Sequence, residues 1–247
     1  MKMNLSRLSE ELSERGLLVI NEFFATAKVD EIEGALQNYI KQLDRADPKS
    51  LQGHVVFESN GLRKIRNIFH LHNAAPYFDE LAKSSVFVDL FRAIFNDDPV
   101  LMSVELFAKP ARVGSEVPYH QDNAYFNLVP ADAVTIWVAL ADATEFNGCV
   151  RYIEGSHKLG NLPHHASGVK GNSMRLSELP AEAGREVCGI VPRGGALIHH
   201  CNTIHRSEPN ASDHDRPGLL FVYKAARCEI DTARVENYRK ALELSNA

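Results

Sequence analysis

The chain has 247 residues, 45% hydrophobic and 24% charged, with a formal net charge of −5. That composition is an ordinary globular one, and the length suffices to bury a core without disulfides or a structural metal. The mild acidity, with no basic block carrying interleaved aromatics, argues against nucleic acid as a partner.

In chain order, residues 4–15 have helical spacing, with Leu5, Leu8 and Leu12 on one face and Gly16 as the stop. This amino-terminal stretch has no apolar signal region, and no apolar run reaches membrane-spanning length. Residues 17–24 (LLVINEFF) read as a short strand, and 27–43 as an amphipathic helix carrying Val29, Ile32, Leu36, Ile40 and Leu43. Residues 44–62 are rich in turn formers and predict an exposed loop with one short strand. A helical pair follows over 75–95, broken by NDDP at 96–99. From residue 100 the texture becomes that of strands: LMSVELFAKP, VPYHQDNAYF, AVTIWVALAD, CVRYIEGSH, GALIHHCNTIHRS and GLLFVYKAA. Between them lies a long, polar, weakly patterned stretch, 160–184, expected to be a functional lid or disordered. Cys149, Cys188, Cys201 and Cys228 form no CxxC pair and read as buried thiols of a reducing compartment. The expectation is a soluble cytoplasmic protein of one domain, 1–247. It divides into a helical section 1–99, a β sandwich or barrel over about 100–226 with helices packed outside, and a tail 227–247.

His120 and Asp122 stand two apart in PYHQDNAYF. On a strand their side chains share a face, with Gln121 on the other. Such a pair is compatible with a metal site, with acid/base chemistry, or with a hydrogen-bonded pair at a strand end. Further histidines stand at 199, 200, 205 and 214, followed by Arg216. Two histidines and one carboxylate with open coordination positions suit a non-haem Fe(II) site.

The order of motifs is more specific than the pair. HQDNAYF, then TIWVALAD with Trp137, then NGCVRYIEGSHK, then GGALIHHCNTIHRSEPN, then an arginine before a strand together resemble the phytanoyl-CoA dioxygenase family of Fe(II)/2-oxoglutarate oxygenases. The resemblance covers roughly residues 16–225. It implies a double-stranded β-helix (jelly-roll, cupin-like) core, and His120, Asp122 and His205 as ligands of Fe(II). It further implies 2-oxoglutarate as cosubstrate with O2, its distal carboxylate on Arg216, and Ser207, Trp137 and Lys64 nearby. A planar, permanently charged guanidinium suits that carboxylate. The product expected is an alcohol, with release of succinate and CO2. Halogenases of this superfamily have a small residue at the carboxylate position, so Asp122 favours hydroxylation; desaturation or ring formation stays compatible with the same ligands.

For the substrate, Asn123, Tyr125, Phe126 and Arg151 are the candidate contacts. The polar 160–184 stretch and the lack of a basic cluster for coenzyme A phosphates point to a small polar metabolite: an amino acid, a phosphonate or a natural-product intermediate. Blander roles stand beside these. Trp137 fits core packing as well, and His157 a structural turn. His164 and His165 fit a solvated loop, and Lys109 a solvated strand end. His199 and His200 are adjacent, so both cannot face one metal. Two other readings remain: a non-catalytic jelly-roll binding protein, and a metal-dependent hydrolase with Glu105 or Glu116 as general base.

Overall fold

A computed structural model describes residues 4–59 and 61–245. The amino-terminal part runs through helix α1 (Leu5–Arg15), strand β1 (Leu17–Ile20), helix α2 (Thr26–Leu43), strands β2 (Val55–Phe57) and β3 (Ile65–Ile68), and helices α3 (Leu71–Ala74), α4 (Pro76–Ala82) and α5 (Ser85–Phe95). Then come β4 (Pro99–Phe107), β5 (Val117–His120), the short helix α6 (Asn123–Phe126), β6 (Leu128–Val129), β7 (Ala133–Ala139) and β8 (Val150–Ile153). The remainder comprises β9 (His164–Val169), β10 (Asn172–Leu176), β11 (Glu186–Cys188), β12 (Ala196–His200), β13 (His205–Ser207), β14 (Gly218–Ala225), β15 (Glu229–Ile230) and helix α7 (Thr232–Ser245). No described helix is long and apolar enough to cross a membrane.

Two antiparallel sheets face one another as a double-stranded β-helix. The major sheet has seven strands in the order β1-β12-β7-β14-β4-β3-β2; the minor sheet has four, β11-β8-β13-β5. Strand alternation separates two environments. Val134, Ile136 and Val138 of β7, Leu219, Phe221 and Tyr223 of β14, and Ala196 and Ile198 of β12 belong to a core shared with the helices. There Phe87 packs on Phe221 and Phe91 on Tyr223, each with ring centroids 4.2 Å apart. The intervening residues, Thr135 and Trp137, Leu220 and Val222, and His199, line a cavity between the sheets.

The first 99 residues do more than supply helices. Strand β1 forms one edge of the major sheet and the β2–β3 pair the other. Helix α1 is capped by the Asn4 side chain, which accepts from Arg7 N at 3.2 Å. It ends at Gly16, whose φ of 73° and whose contact with the His157 ring exclude any side chain there: an added Cβ would lie 2.3 Å from His157 Nδ1. His157 is thus the structural residue of its turn, its Nε2 3.0 Å from Ser13 O.

Four sequence expectations change. The first strand stops at Ile20, not residue 24. Segment 117–126 is strand only to His120, because Asp122 has φ −60° and ψ −32° and starts α6. Segment 195–207 is two strands in different sheets, β12 and β13, joined by a tight turn closed by Thr203 N to His200 O at 2.8 Å. The 160–184 stretch is neither loop nor disordered throughout: β9 and β10 form a hairpin, paired Val169 to Asn172 across Lys170 and Gly171. Alternating small and polar residues hide it from any apolar pattern.

Candidate metal centre and cavity

His120 ends β5 and His205 begins β13, and the two are directly paired in the minor sheet. Their rings lie 4.1 Å apart, centroid to centroid. Asp122 reaches the same point from the first residues of α6, not by strand alternation. Its Oδ1 is 3.7 Å from His120 Nε2 and 3.5 Å from His205 Nε2. Among the described residues, His120, Asp122 and His205 are the group whose ligand atoms, all within 4.8 Å of one another, could hold one metal ion.

The surroundings prepare each donor. His120 Nδ1 lies 2.9 Å from Pro118 O, and His205 Nδ1 2.9 Å from Thr203 O. A carbonyl only accepts, so each Nδ1 carries the proton and each Nε2 presents its lone pair. Burial holds both imidazoles below their usual pKa and so neutral. The outer oxygen of Asp122, Oδ2, accepts from Thr135 Oγ1 at 2.7 Å and pairs with His199 Nε2 at 3.0 Å. Burial opposes ionisation of Asp122, but His205, His199 and His120 outweigh it and hold the carboxyl well below its normal range. Oδ1 is left free to face the two lone pairs.

These groups open into a cavity of about 580 Å³. Arg216 lines it and is 3% exposed. Its Nε and Nη1 are buried without any hydrogen-bond partner, and its guanidinium carbon sits 4.9 Å from the Trp137 ring centroid. Burial lowers its pKa to about 10, so it stays charged at neutral pH. The polar loop SDHDRP brings it inward by a local network: Asn210 Nδ2 donates to Lys109 O and His214 O, and Arg216 N donates to Lys109 O. Gly218 makes room, since a Cβ there would lie 2.0 Å from the Trp137 ring. Unpaired donors on a buried, charged fork demand an anion.

Of the residues expected at the site, Ser207, Trp137, Tyr125 and Phe126 line this cavity. Lys64 does not: it is exposed, one residue before β3, and its neighbour by alternation, Arg66, is the buried one. Arg66 donates to Glu116 O at 2.9 Å and Asn172 Oδ1 at 3.2 Å. Asn123 is fully buried but turned into its own loop, accepting from Leu128 N at 2.9 Å. Arg151 points away from the cavity, between the wall residues Val150 and Tyr152, and pairs with Glu145 and Glu186. Glu116 is exposed, which leaves Glu105 as the cavity carboxyl. Lys109 is no solvated strand end: it is 5% exposed and donates to Ser207 Oγ at 2.7 Å. His164 is half-buried and accepts from Gln121 N at 3.0 Å, whereas His165 and His214 are exposed. Gln121 ties the site together, its side chain bridging Gly160 O, Asn202 O and Leu162 N.

Sequence reading missed Thr135, Tyr152, Asn172 and Tyr238, all cavity residues. No local motif marks them. His199 was separable from His200 by parity alone, because Leu197 and His199 share the inner face of β12.

A double-stranded β-helix that aims two neutral histidines and one carboxylate into a cavity between its sheets defines the facial-triad class of jelly-roll proteins. Within that class the sequence pattern of the phytanoyl-CoA dioxygenase (PhyH) family matches residues 12–218, and the chain belongs to this family. A phytanoyl-CoA dioxygenase of Arabidopsis thaliana is 33% identical over 162 residues, 64% of this chain and 56% of that protein. An ectoine dioxygenase of Sphingopyxis alaskensis is 25% identical over 236 residues, covering 89% and 76%. The chain spans 56% to 65% of the length of the first three curated relatives that it matches. Among solved structures, EctD from S. alaskensis with 2-oxoglutarate and 5-hydroxyectoine superposes with a TM-score of 0.73 at 22% identity, covering 91% of this chain and 77% of that one. The non-heme monooxygenase ThoJ in its apo form gives 0.73 at 22% identity, covering 96% and 95%. These likenesses establish the fold.

Proposed function

We propose that this protein is an Fe(II)- and 2-oxoglutarate-dependent oxygenase that hydroxylates a small polar metabolite. The observation that carries the reading is Arg216: a buried guanidinium with two orphaned nitrogens lining the same cavity as the His120–Asp122–His205 group. A binding module or hydrolase with this triad has no use for it. The donor set fits Fe(II), with imidazole and carboxylate ligands and no thiolate. When bound, iron and 2-oxoglutarate supply the oxygen chemistry, in which the keto acid becomes succinate and CO2 and one oxygen atom enters a substrate C–H bond.

The chain's own part is placement. Arg216 takes the distal carboxylate in a fork, with Trp137 fixing the guanidinium plane. Lys109 orients the Ser207 hydroxyl, which lines the same space. Pro118 and Thr203 carbonyls set the histidine tautomers, while Thr135 and His199 fix the carboxylate.

Several features support a small substrate. The cavity volume, about 580 Å³, lies within the usual range for sites of drug-sized ligands, and here it takes cosubstrate and substrate together. The ectoine dioxygenase relative is named for a small-molecule substrate. Asp122 occupies the carboxylate position, which supports hydroxylation over halogenation. We place the protein in a reducing compartment such as the cytoplasm, a reading that its free cysteines support.

The test is optical and anaerobic. Fe(II) and then 2-oxoglutarate are added to metal-free protein, and the weak visible charge-transfer band of a chelated keto acid is recorded. The band is expected, and it should weaken in Arg216→Ala. Iron binding without a band at saturating 2-oxoglutarate would overturn the reading.

A further inference from the structure

We propose that the substrate is a cation: a small molecule whose protonated amine, amidinium or guanidinium group pairs with Glu105 while its reacting carbon faces the His120–Asp122–His205 centre. The inference rests on the oxygenase reading above and specifies the substrate class of that same site.

Glu105 lies on β4, on the cavity face of the major sheet. Its row across the sheet is Glu105, Leu220 and Trp137, so it stands two strands away from the Trp137–Arg216 stack. Among the described residues its partners are the Ser103 hydroxyl and the repelling charge of Asp122; no cation pairs with it. Burial and the charge of Asp122 push its pKa up to about 7, so the carboxyl exchanges its proton near neutral pH and is fully ionised when a cation pairs with it.

The other cavity charges are already matched. Arg206 lines the cavity but is held by Glu186 and Glu208. In the loaded site the double charge of Fe(II) and the single charge of Arg216 balance Asp122 and the two carboxylates of 2-oxoglutarate. Among the described residues, Glu105 is then the acidic group facing the substrate space that no cation matches. Phe69, Phe107, Tyr125, Phe126 and Tyr238 wall the same cavity, and aromatic faces attract cations electrostatically. An anionic substrate such as a phosphonate would instead meet a like charge in a low-dielectric enclosure.

The experiment measures binding, without turnover. Wild type, Glu105→Gln and Glu105→Asp are loaded anaerobically with Fe(II) and 2-oxoglutarate, and the charge-transfer band is recorded in each sample. Equilibrium dialysis then compares three probes of one shape: n-butylammonium, butyramide and butyrate. The expected result is that n-butylammonium binds wild type at least about tenfold tighter than the other two. That preference should vanish in the isosteric Glu105→Gln and persist in the charge-keeping Glu105→Asp. Preference for butyrate or butyramide, a cation preference that survives Glu105→Gln, or no binding of n-butylammonium at millimolar concentration would overturn the proposal. A missing band in wild type would defeat the oxygenase reading instead, so the two failures are distinguishable.

Discussion

Each residue of the metal group is held by a partner: His120 by Pro118 O, His205 by Thr203 O, and Asp122 by Thr135 and His199. His199 is one of two groups gripping the outer oxygen of Asp122. Replacing it with Phe should weaken Fe(II) affinity about 10–100-fold, as loss of ligand-orienting partners does elsewhere, read by metal titration. Asp122→Ala removes the one anionic member of the His120–Asp122–His205 group, and the proposed oxygenase turnover should fall below detection. Arg216→Ala should raise the 2-oxoglutarate requirement on the order of 30–1,000-fold, the effect of truncating one side of a buried charge pair. Iron affinity, measured without cosubstrate, should change little, because Arg216 is not a ligand. Much of this group was legible. His120, Asp122, His205 and Arg216 sit in motifs of fixed order, and the structure gathers all four around one cavity. Asn123 and Arg151 each lie one position from a cavity residue, Asp122 and Tyr152 respectively, and parity is settled by pairing and turns, not by composition. Lys64 stands outside β3 and is exposed, two residues before the buried Arg66.

At the scale of elements, the loop before β14 and the strand itself form one device. Gly218 lets the Trp137 ring cross the backbone just after Arg216. Gly218→Ala should therefore cost about 1–3 kcal/mol through overpacking, seen as a lower denaturation midpoint, and should also displace the indole from beneath the guanidinium. Strands with clear alternation or continuous burial, such as β7, β12 and β14, were readable as apolar runs bounded by turn formers. The break between β12 and β13 was not, because CNTI carries no glycine or proline to announce a turn. The β9–β10 hairpin escaped for the opposite reason. Its residues are small and polar because it packs against α7 and the cavity mouth, not against a broad apolar face. Asn172 and Ser173 of this hairpin line the cavity, so the 160–184 stretch borders it.

For the molecule as a whole, buried neutral histidines set an acid limit. Burial pushes His200 and His164 down to about 4 from the usual 6.5. Each accepts a hydrogen bond on an unprotonated ring nitrogen, from Asn202 N and Gln121 N respectively. Between those two pH values the unfolded chain binds protons that the native protein refuses, so stability falls as pH drops from about 6.5 toward 4. Above that window these groups contribute no slope. Thermal midpoints of the metal-free protein across pH 4 to 7.5 should show the decline, and His200→Gln should flatten it.

The edge strand β1 has a consequence in time. Leu17–Ile20 pair with Ala196–Ile198 and His199, across nearly the full length of the jelly roll. Strand β13, with His205, likewise finds its places beside β5 and β8 only after most of the chain exists. Such distant pairings make loop closure costly and folding slow. The His120–Asp122–His205 group, which needs β5 and β13 paired, is therefore expected to form late in folding. Iron can capture the native state but cannot guide the early chain, so refolding rates should be insensitive to Fe(II) while unfolding slows with it.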